Sequence, residues 1–270
     1  MSLNNEVLEN MSKVLGDAFY LLDSSKFSNN FEEFLSEFTT IYPKTNIGYS
    51  YKTNYTPKLC KLVNEMGGYA EVVSEMEYDL AIKIGVDPKM IIVNGPYKTK
   101  KALKKFVLGE SIVNLDSYIE VDFLKEIAKN HPSKQLKVGV RCNFEINDDL
   151  KSRFGFDVES DSFSCMFSQV SNIDNITIDG IHCHFPNRDL KSYDYRVDKI
   201  LELAKKLFTA PPKYIDIGGG FFGKMEESLK AQFGTPTVEY GEYANLIATK
   251  FKAAYQDCSD DEKPILLLEP

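Results

Sequence analysis

The sequence predicts an α/β protein built around a parallel sheet, and three observations carry that reading. Short, β-rich apolar runs alternate with longer stretches whose apolar residues recur every three or four positions, the pattern of strands joined by amphipathic crossover helices. About eight such units fit into the 270 residues, which is the arithmetic of a TIM (β/α)8 barrel. No internal repeat, low-complexity tract or Gly/Ser linker divides the chain, so residues 1–270 read as one barrel. A doubly wound open sheet is the second choice.

Taken in order, the candidate strands are Thr45 to Tyr51, Gly68 to Val73, Met90 to Asn94, Ser111 to Leu115, Leu136 to Cys142, Ile178 to His184, Tyr214 to Ile217 and Ile265 to Leu268. The helical spacing falls between them, at Pro57 to Met66, Glu75 to Ile84, Lys98 to Leu108, Tyr118 to Lys129 and Tyr193 to Leu207. The last strand runs into Glu269-Pro270, which leaves the final barrel helix unaccounted for and suggests a fragment of a longer protein. Met1-Ser2-Leu3 is set apart from fold reasoning as a segment that can be partly vector-derived.

Composition narrows the function classes. With 43% hydrophobic and 27% charged residues the chain is an ordinary globular one, long enough to bury a core without disulfides. A net charge of −8 repels phosphate backbones and argues against nucleic-acid binding. No apolar run approaches the ~20 residues that span a bilayer, and no signal peptide is evident. Cys60, Cys142, Cys165, Cys183 and Cys258 show no C-x-x-C pair, so neither a disulfide framework nor a zinc site is expected. The cytoplasm is the expected compartment.

In a parallel barrel, functional groups gather at the C-terminal ends of the strands. Lys52 closes the first strand, with Gly48 and Ser50 on its face leaving room for the stem. Desolvation there would favour the neutral amine that attacks a carbonyl, whereas a solvated lysine at a strand end is the plainer alternative. His182 and His184 stand two apart, a metal-ligand spacing, but no carboxylate sits at an obvious companion position and no metal is expected. One imidazole packed in the core and one facing a pocket is the preferred reading. Gly218-Gly219-Gly220 follows an apolar strand, where consecutive backbone N–H groups can converge on a phosphate, or simply turn the chain. Arg141 and Glu269 sit near the ends of the fifth and last strands.

Together these motifs resemble the fold-type III pyridoxal-phosphate decarboxylases, the group of ornithine, arginine and diaminopimelate decarboxylases. Tyr49-Ser50-Tyr51-Lys52-Thr53-Asn54 is similar to the family's Y-A-x-K-A-N. Gly68 to Ser74 with Glu77 resembles G-x-x-D-V-A-S-x-x-E, with Glu71 in place of aspartate. Arg141-Cys142-Asn143 resembles R-x-N, and Arg153-Phe154-Gly155 resembles K-F-G. Gly180 to His184 matches G-x-H-x-H, Ile217 to Phe221 the phosphate loop, and Glu269-Pro270 the start of E-P-G-R. The matches run in order over almost the whole chain.

The resemblance implies a barrel of the alanine racemase type without its C-terminal β-domain, and pyridoxal 5′-phosphate as cofactor. It implies catalytic Lys52, His184 and Glu269: Lys52 at the Schiff-base position, His184 stacked on the cofactor ring, Glu269 paired with the pyridine nitrogen. Gly218, Gly219 and Gly220 would bind the phosphate, and Glu71 and Arg141 would orient Lys52. Where the family has x-G-S after the second histidine this chain has Phe185-Pro186-Asn187-Arg188, so Asn187 or Arg188 would take over the serine's phosphate contact. The implied partners are a small-molecule amino-acid substrate (diaminopimelate, an ornithine-like amino acid or a carboxylated polyamine) and a second copy in a homodimer. An amino-acid racemase on the same barrel and a non-catalytic pyridoxal-phosphate homeostasis protein are the alternatives.

Overall fold

The computed structural model describes residues 4–146, 152–233 and 236–270; Met1-Ser2-Leu3 lies outside them. Among the described residues nine strands form in chain order: β1 (Thr45–Ser50), β2 (Tyr69–Val72), β3 (Ile91–Val93), β4 (Ile112–Leu115), β5 (Leu136–Asn143), β6 (Phe156–Asp157), β7 (Ile176–His182), β8 (Tyr214–Asp216) and β9 (Ile265–Leu268). All pairings are parallel. Eight strands close on themselves, since β9 pairs back to β1 with Thr45 opposite Leu266. Closure excludes the open sheet. The two-residue β6 only flanks the end of β5.

Among the described residues ten α-helices accompany them: α1 (Asn5–Leu15), α2 (Ser24–Thr39), α3 (Pro57–Glu65), α4 (Glu75–Lys83), α5 (Lys100–Leu108), α6 (Tyr118–Asn130), α7 (Asp161–Ser171), α8 (Leu190–Leu207), α9 (Glu227–Lys230) and α10 (Tyr240–Ala254). Local chemistry sets most of their starts. Asp23, Ser74, Thr99, Ser117, Ser160 and Asp189 each cap a helix by accepting a backbone N–H of its first turn.

The final barrel helix, missing by sequence order, has a structural substitute. The N-terminal α2 packs between α10 and α3 against β1 and completes the outer ring. Its Phe31, Phe34 and Phe38 are buried, and Phe34 meets Phe221 and Tyr240 edge-on at 5.1 and 5.0 Å. α1, by contrast, buries no residue.

Inside the barrel the filling is partly polar. Tyr214 crosses the lumen so closely that a Cβ on Gly139 or Gly180 would overlap it, which explains glycine at both positions. The Tyr214 hydroxyl donates to Asn114 at 2.8 Å, and Asn114 donates to Asn94 at 2.7 Å. Asn94 in turn donates to the Glu269 carboxylate. This hydrogen-bonded ladder leads to the rim where the candidate residues collect.

Candidate active site

The β1 ladder ends at Ser50, opposite Glu71 of β2, and the chain then turns so that Lys52 reaches back over that pair. Lys52 Nζ donates to Glu71 Oε2 at 2.9 Å and lies 3.9 Å from Glu269 Oε2. The Ser50 hydroxyl donates to the same Glu71 oxygen. Beyond β7, His184 Nδ1 stands 3.4 Å from Glu269 Oε2, while His182 Nε2 is 3.7 Å from Oε1. Lys52, Asn94, Arg141, His182, His184 and Glu269 all line one cavity of about 460 Å³ at the C-terminal ends of the strands, with Arg153, Phe154, Phe185 and Pro186 around them.

The charge state of Lys52 departs from the expectation of a desolvated neutral amine. Burial lowers its pKa, but Glu269 and Glu71 outweigh burial and the net shift is upward. The ammonium is held by its carboxylates. Glu71 is pushed up to about 7, by burial first and then by repulsion from Glu269, against the pull of Lys52. Burial works to raise Glu269 as well, yet proximity to His184, Lys52 and His182 prevails and keeps it below the usual carboxylate range. Asp216 beneath it is driven well above that range by burial and by Glu269. Burial also depresses His182 well below an ordinary histidine. Glu269 therefore keeps the anion beside the Lys52 ammonium, while Glu71, Asp216 and His182 are shifted toward their neutral forms.

These residues suit a phosphorylated pyridine. Glu269 Oε2 is buried without a hydrogen-bond partner, which leaves an acceptor for a protonated ring nitrogen. The Gly219 N–H donates to His184 Nδ1 at 3.1 Å and so fixes the ring beside the cavity. Gly218 and Gly220 have φ of +68° and +94°, and a Cβ on Gly219 would overlap the Glu269 carbonyl oxygen. The turn therefore needs its glycines.

Several expected contacts differ. Gly218 N–H is taken by Asp216 Oδ1 at 2.9 Å and Gly219 N–H by His184, so among the three glycines only Gly220 N–H stays without an acceptor among the described residues. Gly218, Gly219 and Gly220 sit behind His184, outside the cavity lining. Asn187 and Arg188 do not line it either. The Asn187 carbonyl accepts from Arg196, and the Arg188 guanidinium lies 5.4 Å from the Phe222 ring. Arg141 forms an ion pair with Asp116 at 3.0 Å instead of bonding the Lys52–Glu71 pair, and Asp116 also accepts the Gly155 N–H at 3.0 Å. The R-x-N and R-F-G segments thus meet through a carboxylate that sequence reading passed over.

His184 lies past the end of β7 rather than on it. Both histidines nonetheless face Glu269, and one donor atom from each of the three lies within 4.8 Å of the others. The fold thus supplies the companion carboxylate that local spacing lacked. Asn94, Asp116, Asp216 and Arg196 were also missed. Asn94 ends a strand, the same signal that marked Arg141, and Asp216 is a charge inside an apolar strand.

A parallel barrel with a lysine, buried carboxylates and a glycine turn at its C-terminal rim defines the class, a barrel equipped to hold a phosphorylated carbonyl cofactor. Residues 26–270 match the family model for the pyridoxal-dependent decarboxylases, pyridoxal binding domain, and the chain belongs to that family. It is 32% identical over 227 residues to diaminopimelate decarboxylase of Aquifex aeolicus, covering 79% of this chain and 52% of that protein. It is 24% identical over 210 residues to the chloroplastic ornithine decarboxylase of Nicotiana glauca, covering 75% of this chain and 46% of that one. The crystal structure of the M. jannaschii diaminopimelate decarboxylase in complex with L-lysine superposes with a TM-score of 0.82 at 23% identity, covering 97% of this chain and 62% of that chain. The chain spans about half the length of the curated relatives it matches.

Proposed function

We propose that this barrel binds pyridoxal 5′-phosphate through Lys52 and forms the cofactor-binding part of an amino-acid decarboxylase. The observation that carries the reading is the convergence of Lys52, His184 and Glu269 on one cavity at the strand ends, with buried Glu71 hydrogen-bonded to Lys52. The cofactor, when bound, supplies the electron sink for the pair left behind as CO₂ departs. Lys52 would hold the cofactor through its neutral amine, and Glu71 Oε2, at 2.9 Å and with its pKa near 7, is placed to take the proton that Nζ carries. Glu269 would hold a proton on the pyridine nitrogen, and its buried, ladder-supported anion is suited to that. The His184 ring would cover one face of the cofactor and exclude water. Arg141, fixed by Asp116, offers a cationic wall.

The substrate class is an amino acid: diaminopimelate, an ornithine-like amino acid or a carboxylated polyamine. Relatives of both the diaminopimelate and ornithine types lie within range. Glu269 at the rim favours decarboxylation over racemisation, because a protonated pyridine is the stronger electron sink. A homodimer is the proposed assembly.

On adding pyridoxal 5′-phosphate, the chain should gain an absorbance band near the visible edge, and borohydride should fix the cofactor on the peptide containing Lys52. Lys52→Ala should abolish both. A band that survives in that variant would sink the assignment. Substrate-dependent CO₂ release, measured across the three candidate classes, would assign the substrate.

A further inference from the structure

Arg196, on α8, is fully buried, and no carboxylate among the described residues pairs with it. An uncompensated interior cation is costly, so its surroundings must be built around it. Its guanidinium lies 3.3 Å from the Tyr193 ring centroid. It donates to three carbonyls: Phe185 at 3.4 Å, Gly219 at 3.4 Å and Asn187 at 3.2 Å. The Tyr193 hydroxyl adds a second donor to Gly219, at 3.0 Å. Arg196 Nε keeps no partner at all.

These three carbonyls belong to two segments, the glycine turn and the stretch that replaces the family's x-G-S. In a trans peptide the C=O and N–H of one plane point in opposite directions, and the described residues contain no cis bond. Drawing the Gly219 carbonyl toward Arg196 therefore turns the Gly220 N–H away from it, and drawing the Asn187 carbonyl does the same to the Arg188 N–H. Neither N–H has an acceptor among the described residues. Two free donors backed by an unpaired buried cation make a site for an anion.

We propose that Arg196 is the positioning residue of this phosphate site, clamping the carbonyls of Phe185, Asn187 and Gly219 so that the Gly220 and Arg188 N–H groups, next to the cavity wall of His184, Phe185 and Pro186, are left free for the cofactor phosphate. The inference rests on the cofactor reading above. It also changes what replaces the missing serine: a buried guanidinium acting through two peptide planes, in place of the side chain of Asn187 or Arg188. The phosphate dianion is the counter-charge that Arg196 otherwise lacks.

The test compares pyridoxal 5′-phosphate with pyridoxal, both read by the band they form with Lys52. The wild-type chain should prefer the phosphorylated form. Arg196→Gln should cut that preference by about tenfold, the equivalent of one weakened charge-assisted contact, with pyridoxal affinity within about twofold of wild type. A preserved preference, or an equal loss for both ligands, would overturn the proposal. If Arg196→Gln does not fold, judged by circular dichroism, Arg196→Lys is read the same way, because one ammonium cannot span three carbonyls; an unchanged preference there also overturns it. In the wild-type chain, inorganic phosphate should compete with pyridoxal 5′-phosphate beyond what chloride does at equal ionic strength, and should leave pyridoxal binding unaffected. No competition means no anion site. Absence of any band with either ligand would instead remove the cofactor reading itself.

Discussion

Lys52 carries a proton that its chemistry requires it to lose, and Glu71 is the residue through which that conflict becomes measurable. Glu71 binds its proton more tightly in the folded chain, with a pKa near 7, than at its ordinary value of 4.5. The folded state therefore holds an extra proton between those values and loses stability as pH rises through that window. His182, depressed by burial, acts in the opposite sense below its ordinary 6.5. The difference between wild type and Glu71→Gln isolates the Glu71 contribution, since His182 is common to both. That difference should shift in favour of the variant as pH rises from about 4.5 to about 7. Urea denaturation across that range checks it, and a flat difference would mean that Glu71 is not protonated there. At the same site, His182, His184 and Glu269 approach closely enough to hold a cation, yet the proposed chemistry needs none. Prolonged treatment with a chelator should leave the cofactor band unchanged.

At the scale of elements, α2 does the work of a barrel helix although it precedes the barrel. Phe38, fully buried on its inner face, anchors it. Phe38→Ala should cost about 3–5 kcal/mol, as expected for a large aromatic removed from a packed core. Deleting residues 1–15 should leave the melting temperature unchanged, because α1 buries no side chain. The glycine turn after β8 is the other sensitive element. Gly219→Ala pushes a methyl group onto the Glu269 backbone carbonyl, which cannot swing aside as a flexible side chain could. A loss of about 1–3 kcal/mol is expected, with weaker cofactor binding because Glu269 moves. Thermal melts and cofactor titration together test this.

For the whole molecule, the closed sheet brings the end of β1 beside the end of β9, and with them Lys52 and Glu269. Cofactor binding should therefore stabilise the entire barrel. By linkage, pyridoxal 5′-phosphate at a hundred times its dissociation constant adds about 2.7 kcal/mol. The melting temperature should rise accordingly in wild type, and much less in Lys52→Ala. No helix among the described residues is long and apolar enough to cross a membrane.

Residue order alone was enough to read the alternation of apolar runs and amphipathic stretches, hence a parallel barrel, and to mark Lys52, Arg141, the glycine triplet and Glu269 as strand-end residues. Those features are local, since periodicity and turn chemistry act over a few residues. Three things needed the tertiary structure. The first was α2 as the eighth helix, because its place is chosen by the packing of Phe34 and Phe38 and not by its position in the chain. The second was the pairing of Arg141 with Asp116, and of Glu269 with Asn94, Lys52 and both histidines. The third was the direction of the Lys52 shift. Electrostatics depends on distance in space: burial alone argues for a neutral amine, and only the fold shows two carboxylates close enough to reverse it.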